Sequence, residues 1–409
     1  MALLGKTPFF TNNMLDYKKD FPLLAGASVA YFDSACMSLK PQAVIEAMNA
    51  YYCQYPACAG RSSHRLGDLA TKKVEEVRKL VAKFIGAPSE KNIVFVRNTT
   101  EAINLLANTL DLKAGDVVLT TDKEHNSNLV PWQLLAKRKG VIHKIVKSKA
   151  DGAFDLEAFK ELVKGVKIVS MVHASNLDGT TIPAKEIVKI AHENGALVIL
   201  DGAQSVPHQK IDVKELDVDF LAFSGHKMLG PTGTGVLYGK YELLEKLEPF
   251  MVGGDTVEYS TYDGHKMLSA PEKFEAGLQD YAGIIGLGAA IKYLEAVGFD
   301  MIKQRELELN QYITQELEKY ENIKIIGPAN PSLRSGIINF YIPGKNMHQI
   351  SLMLDEMAGI MIRSGQHCVH SWFHDKKIEN SARVSVYFYN TREEAEKFIS
   401  ALAKIMKIV

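Results

Sequence analysis

From about Pro41 onward, short β-branched runs alternate with segments of helical length, and that alternation restricts the fold more than any other feature. The runs NIVFVRN (92–98), DVVLT (116–120), VIHKIV (141–146), KIVSMVH (167–173), ALVILD (196–201) and DFLAFSG (219–225) read as strands. Spacers such as 100–110 and 182–194 have the length that a right-handed crossover between parallel strands needs. The pattern predicts an α/β fold, a mostly parallel sheet flanked by helices. In such open sheets the ligand crevice lies at the carboxyl ends of the strands.

After about Gly288 the pattern changes. A long helical stretch leads to SGIINFYI (335–342), a helix over 347–358, ARVSVYF (382–388) and a closing helix from Thr391. Strands in this order suggest a smaller α+β lobe with some antiparallel pairing. The expected division is a large domain over 31–290 and a small domain over 291–409, with 1–30 as an N-terminal segment packing on the small domain. A chain of 409 residues has room for both. No Pro/Gly-rich linker separates the lobes, so they are expected to pack together.

Basic and acidic residues number 48 each, so no global field draws the chain to nucleic acid or an anionic membrane, and a small-molecule site is the better expectation. The four cysteines, Cys36, Cys53, Cys58 and Cys368, lack the dense pairing of a secreted disulfide scaffold, which favours a reducing, cytoplasmic compartment. Cys53 and Cys58 have no second close pair, and Pro56 lies between them, so no metal is expected there. The opening MALLGKTPFFTNNMLDYKK lacks the features of a signal peptide. No stretch approaches the ~20 apolar residues of a membrane span.

The strand ends are unusually polar. They deliver Asn98-Thr99-Thr100, Glu124-His125-Asn126, the stretch from His173 to Asn176, the stretch from Asp201 to Gln204, and Ser224-Gly225-His226-Lys227. A lysine at the mouth of a sheet is either a carbonyl chemist or a solvated strand end. Desolvation lowers its pKa toward the free amine that attacks an aldehyde. Alone, the surface reading of Lys227 is the commoner one. Asp201 changes the balance, because pyridoxal phosphate withdraws electrons only while a nearby carboxylate keeps its ring nitrogen protonated. A turn or cap aspartate is the plainer alternative. Asn98-Thr99-Thr100, opening a helix, offers N–H groups, a positive dipole end and hydroxyls to a phosphate, with Ser224 and His226 completing the nest. Thr99 reads equally well as an N-cap. No G-x-G-x-x-G fingerprint or Walker loop is present, so nicotinamide and nucleoside-triphosphate readings lose their main support.

Cys368 lies between His367 and Val369, with Arg363, His370 and His374 close in sequence. Cationic neighbours make thiolate available, which suits a nucleophile. Zinc ligation with the histidines, or a merely buried cysteine, fits the same residues.

Together, DSAC (33–36), RNTTEAINLLAN (97–108), EHNSNLVPW (124–132), SNLDGT (175–180), DGAQSVPH (201–208), FSGHKMLGPTGTGVLYG (223–239), FEAG, GIIGLGAA and RSGQHCV (363–369) resemble the cysteine desulfurase family. The likeness runs in order over nearly the whole chain and is greatest to the SufS-like branch with its short cysteine loop. It implies a homodimeric fold-type I pyridoxal-phosphate transferase that converts L-cysteine to L-alanine. The sulfur would be held as a persulfide on Cys368 and passed to an acceptor protein, SufE/SufU-like or a scaffold, for iron–sulfur cluster assembly. By position, the resemblance implies that Lys227 holds pyridoxal 5'-phosphate as a Schiff base and then acts as acid and base. Asp201 would pair with the ring nitrogen, Gln204 with the phenolic oxygen, and His125 would stack on the ring. Thr100, Ser224 and His226 would bind the phosphate, beside Thr99. Asn176 and Arg383 would grip the substrate carboxylate, with Arg363 close by. The sequence departs from the branch at Leu278, where threonine is common, at Gln366, where histidine is common, in VHSWF (369–373), and over 60–68. Selenocysteine lyase, another class V aminotransferase-type enzyme, and a non-catalytic cofactor-binding scaffold are the competing readings.

Overall fold

The computed structural model describes residues 17–26 and 28–408. Residues 1–16, which carry most of the segment read for a signal peptide and half of the segment expected to pack on the small domain, lie outside them.

After a two-residue strand, β1 (Ala30–Tyr31), come the strands of the central sheet. These are β2 (Ile93–Val96), β3 (Val117–Thr121), β4 (Ile142–Val146), β5 (Val166–Val172), β6 (Leu197–Asp201), β7 (Phe220–Ser224) and β8 (Gly235–Gly239), in the order β2-β8-β7-β6-β5-β3-β4. The six runs read from the sequence are all strands of this sheet, and β3 to β7 pair in parallel. The seventh, β8, runs antiparallel between β7 and β2. Glycines open and close β8, which leaves only Val236, Leu237 and Tyr238 to mark it as a strand.

Alternation along each strand divides the core into two layers. Ile93, Phe95, Leu221 and Phe223 face one side, and Val94, Val96, Phe220 and Ala222 face the other. The first side is covered by α1 (Gln42–Gln54), α2 (Arg65–Phe84) and the helix Tyr281–Val297. The second is covered by α3 (Thr99–Thr109) and α4 (Asn126–Lys139), whose Trp132 is fully buried. An exposed hairpin of β9 (Val257–Ser260) and β10 (His265–Met267) follows.

The remaining strands are β11 (Lys324–Ile326), β12 (Ile337–Tyr341), β13 (Ile360–Met361), β14 (Arg363–Gly365) and β15 (Ser381–Ser385). Four of them form an antiparallel sheet in the order β11-β12-β15-β14. The helices Phe299–Leu317, Met347–Ala358 and Arg392–Ile405 pack over it around Ile338, Phe340, Val384 and Phe398. The outlier β13 pairs in parallel with β1, and an isolated bridge joins Asp33 to Ser385 just beyond. Chain from the start of the described region is thereby sewn to the second sheet. Among the described residues no single helix is long and apolar enough to cross a membrane.

One close approach links the sheet to the site. A Cβ at Gly235 would stand 2.7 Å from Asn98 Cα and 2.8 Å from the Phe223 carbonyl oxygen, so β8 can run beneath the start of α3 only with glycine there. Overpacking of this kind costs about 1–3 kcal/mol. Gly235→Ala should therefore lower the melting temperature, and an unchanged melting curve would show that the neighbours yield freely.

Candidate active site

A cavity of about 200 Å³ opens at the carboxyl ends of the central strands, closed on one side by β14, β15 and the loop before the helix His370–Lys376. Every residue selected from the sequence contributes to its wall except Gln204. The Gln204 amide nitrogen donates to the Ala35 carbonyl at 2.7 Å, and its buried Oε1 has no partner.

Lys227 ends the single 3-10 turn that follows β7, and Asp201 ends the neighbouring β6. Burial lowers the lysine's pKa, while the Asp201 charge opposes that shift. Burial likewise raises the pKa of Asp201, which is 2% exposed, and the lysine pulls it back. The aspartate also accepts from the Ala203 amide at 2.9 Å, so it makes the turn as well as facing the lysine. Among the described residues Lys227 Nζ makes no hydrogen bond, which leaves the amine free for an incoming group.

At one end of the cavity hydroxyls gather around a helix start. Asn98, not Thr99, caps α3, its side chain accepting from the Glu101 amide at 2.9 Å. Thr99 is the first helical residue, and its amide and hydroxyl lie 2.9 Å and 2.7 Å from Ser224 Oγ. Thr100 Oγ1 lies 2.6 Å from Ser127 Oγ, which in turn lies 2.9 Å from His125 Nδ1. Ser127 was not picked out from the sequence; its place in the first turn of α4, capped by the His125 side chain, is the signal. The His226 carbonyl accepts from the Ser38 amide and from Lys40 Nζ, at 3.0 Å and 3.1 Å. Burial, then the Lys227 charge, holds His125 down to about 3 and His226 down to about 4, so both rings are neutral near pH 7.

At the other end stand two arginines. Arg383, 2% exposed, donates from Nη1 to the Asn176 carbonyl at 2.9 Å and from Nη2 to Asp33 Oδ1 at 3.3 Å. Its Nε and the side-chain oxygen of Asn176 are buried without partners. Arg363 is the register partner of Arg383 across β14 and β15, and its Nη1 contacts the sulfur of Cys36. Two guanidinium groups thus face one carboxylate, and an anion is the natural complement.

Cys368, half-buried, and His367 both have left-handed backbones, with φ of 60° and 50°. Such conformations are uncommon outside glycine and persist where the surroundings enforce them. Here the Asn126 amide donates to the Cys368 carbonyl at 2.7 Å, and the Asn176 side chain donates to the His367 carbonyl at 2.8 Å. Burial pushes His367 down to about 2, so its ring brings no positive charge to the thiol. The cationic neighbour expected from the sequence is therefore not His367. Cys36 shares the cavity wall with Cys368, which sequence spacing did not reveal. Beneath the site, buried Glu124 accepts from the Thr121 amide and hydroxyl, the Asn128 side chain and the Val172 amide, and burial pushes it up to about 7. Among the described residues no three His, Cys, Asp or Glu side chains gather as a metal site.

The donor set fits a phosphorylated pyridine aldehyde. Hydroxyls and the α3 N-terminus suit phosphate, Asp201 suits a protonated ring nitrogen, Lys227 suits the carbonyl, and the unpartnered atoms of Arg383 and Asn176 suit a carboxylate beyond it.

Comparison with known proteins agrees. Residues 30–398 match the family model for class-V aminotransferases. A probable cysteine desulfurase from Pyrococcus abyssi is 42% identical, over 96% of this chain and 97% of its own length. Among solved structures, the apo cysteine desulfurase of Thermococcus onnurineus NA1 superposes with a TM-score of 0.93 at 40% identity, over 96% of this chain and 98% of that one. The Escherichia coli cysteine desulfurase CsdA, in an S-sulfonic acid form, gives 0.90 at 32% identity, over 97% and 100%.

The neutral imidazoles also set a pH dependence. Burial alone holds His173, 5% exposed, down to about 4 from 6.5. Below pH 6.5 the unfolded chain takes up a proton that the folded chain refuses, so this stability is complete above 6.5 and is lost as pH falls toward 4. The loss approaches about 1.4 kcal/mol per pH unit for one imidazole. Melting temperature should fall between pH 7 and pH 5, and less steeply in His173→Asn. Equal slopes for the two proteins would refute the assignment.

Proposed function

The chain belongs to the class-V aminotransferase family and, within it, to the cysteine desulfurases, pyridoxal-phosphate enzymes that convert L-cysteine to L-alanine; from this we propose that Cys368 takes up the sulfur and that the cavity around Lys227 performs the chemistry. The observation that carries the reading is the convergence, on one cavity, of Lys227, Asp201, the paired arginines and Cys368.

Bound there, pyridoxal 5'-phosphate supplies a carbonyl carbon for amine exchange and a ring that withdraws electrons from the substrate. Thr99, Thr100, Ser224, His226 and the α3 N-terminus would hold the phosphate end, and Ser127 extends the same hydroxyl cluster. The Asp201 carboxylate would hold a proton at the ring nitrogen, and His125, a neutral ring on the same cavity wall, would pack on the cofactor ring. Gln204, whose amide now donates to the Ala35 carbonyl, would be the donor to the phenolic oxygen. Arg383, Asn176 and Arg363 orient the substrate carboxylate, which leaves its thiol toward the Cys368 loop. Lys227, depressed by burial, would take the proton from Cα and, once Cβ has been protonated, return one to Cα. The Cys368 thiolate attacks the substrate sulfur: a sulfur–sulfur bond forms, the carbon–sulfur bond breaks, and the electron pair left on Cβ accepts a proton to give alanine. The enzyme retains a persulfide for transfer.

We assign 31–290 to the cofactor-binding lobe and 291–409 to the lobe carrying Cys368. The protein acts as a homodimer in the cytoplasm. Phe250, Met251 and Leu278 are exposed around a depression of about 490 Å³, an apolar face that a second copy would cover. Leu278 stands there and not on the wall of the catalytic cavity. The persulfide passes to an acceptor protein for iron–sulfur cluster assembly.

Reduction of the holoenzyme with borohydride followed by mass spectrometry should place the cofactor on Lys227, and Lys227→Ala should lose about 10²–10⁴-fold in turnover, the usual share of an acid–base group. Attachment at another lysine would remove the central assignment. With L-cysteine under identical reductant, Cys368→Ser should bind substrate but form alanine at least about 10²-fold more slowly, because a serine hydroxyl is a poor nucleophile at neutral pH. Replacement of Cys53 or Cys58, away from the cavity, is the control. Normal turnover in Cys368→Ser would point to elimination without a protein persulfide.

A further inference from the structure

The turn after β1 presents two different groups to the paired arginines. The amides of Cys36 and Met37 both donate to the Asp33 carbonyl, at 3.0 Å and 3.1 Å, which folds Asp33 and Cys36 into one tight turn. The Asp33 carboxylate takes the Arg383 guanidinium, and the Cys36 sulfur takes that of Arg363. Arg383 has a second anchor in the Asn176 carbonyl. Arg363 has none: among the described residues its side chain makes no ion pair and no other hydrogen bond than the one to Cys36. A long guanidinium side chain loses much rotamer freedom when it binds a carboxylate, and a fixed partner reduces that loss in advance.

We propose that Cys36 is a positioning residue: its sulfur holds the Arg363 guanidinium ready for the substrate carboxylate, and so sets the affinity for L-cysteine without taking part at the reacting sulfur. The inference rests on reading Arg363 as a carboxylate ligand. It also separates the two thiols of the cavity by task, since the Cys36 sulfur is occupied by a donor whereas Cys368 carries the persulfide.

The test uses the holoenzyme as wild type, Cys36→Ala, Cys36→Ser, Arg363→Ala and the Cys36→Ala/Arg363→Ala double variant. Steady-state kinetics with L-cysteine are paired with calorimetric binding of L-alanine, which shares the carboxylate. Cys36→Ala should raise KM and the L-alanine Kd about tenfold and leave kcat within about twofold, the signature of lost uniform binding. Cys36→Ser keeps an acceptor and should restore most of the affinity. The double variant should match Arg363→Ala alone, because two residues acting through one contact are not additive. Cysteamine, which lacks the carboxylate, should bind every variant alike. If Arg363→Ala leaves KM unchanged, the carboxylate reading of Arg363 fails. If Arg363→Ala raises KM while Cys36→Ala does not, or if the two effects add, Cys36 does not position it. A fall in kcat at constant KM in Cys36→Ala would place the residue in the chemistry and overturn the proposal.

Discussion

Two opposite charges kept out of water, Asp201 at the end of β6 and Lys227 one turn beyond β7, set the terms for the rest of the molecule. Neither side chain is stable there as an isolated ion, and each shifts the other's titration in the direction that makes burial tolerable. Parallel pairing of β6 with β7, in the register Asp201 to Ala222, brings both strand ends to one cavity. The antiparallel β8 then closes the far side of β7, and its Gly235 lets the start of α3 come down onto the same strand end. The phosphate-holding hydroxyls are therefore placed by the same sheet that places the lysine.

The second sheet contributes what the first lacks. Arg363 and Arg383, opposite each other on β14 and β15, bring positive charge to a cavity whose own strands offer Asp201 and hydroxyls. The short pairing of β1 with β13, and the turn from Asp33 to Cys36, fix the distance between the two contributions. Asp33 shows how finely this is balanced: burial raises its pKa, and the two arginines pull it back.

Much of this was legible in the sequence, and the parts that were not share a cause. Runs of β-branched residues mark β2 to β7, including the half-exposed edge strand β4, so these could be read directly, as could the helix Met347–Ala358 and the polar residues that follow each strand. Between its two glycines β8 has only Val236, Leu237 and Tyr238 to mark it, and β11 and β14 are three residues long. Asn98 rather than Thr99 caps α3 because side-chain geometry, not residue type, decides between two neighbouring polar residues. The neutrality of His367 and the contact of Cys36 with Arg363 depend on burial and on pairing across more than 300 residues, which spacing does not encode. Gln204 was legible as polar and close, but its amide is turned to Ala35 behind the wall.

Glu124 has a consequence for the life of the protein before it meets its cofactor. Its carboxyl group receives donors from the end of β3, from β5 and from α4, tying together three elements around the mouth of the crevice. A crevice braced by hydrogen bonds from beneath does not slump when nothing fills it, whereas one lined only with apolar side chains gains by collapsing. Cofactor capture is then a docking event on a preformed surface, and little of the binding free energy goes into ordering the protein.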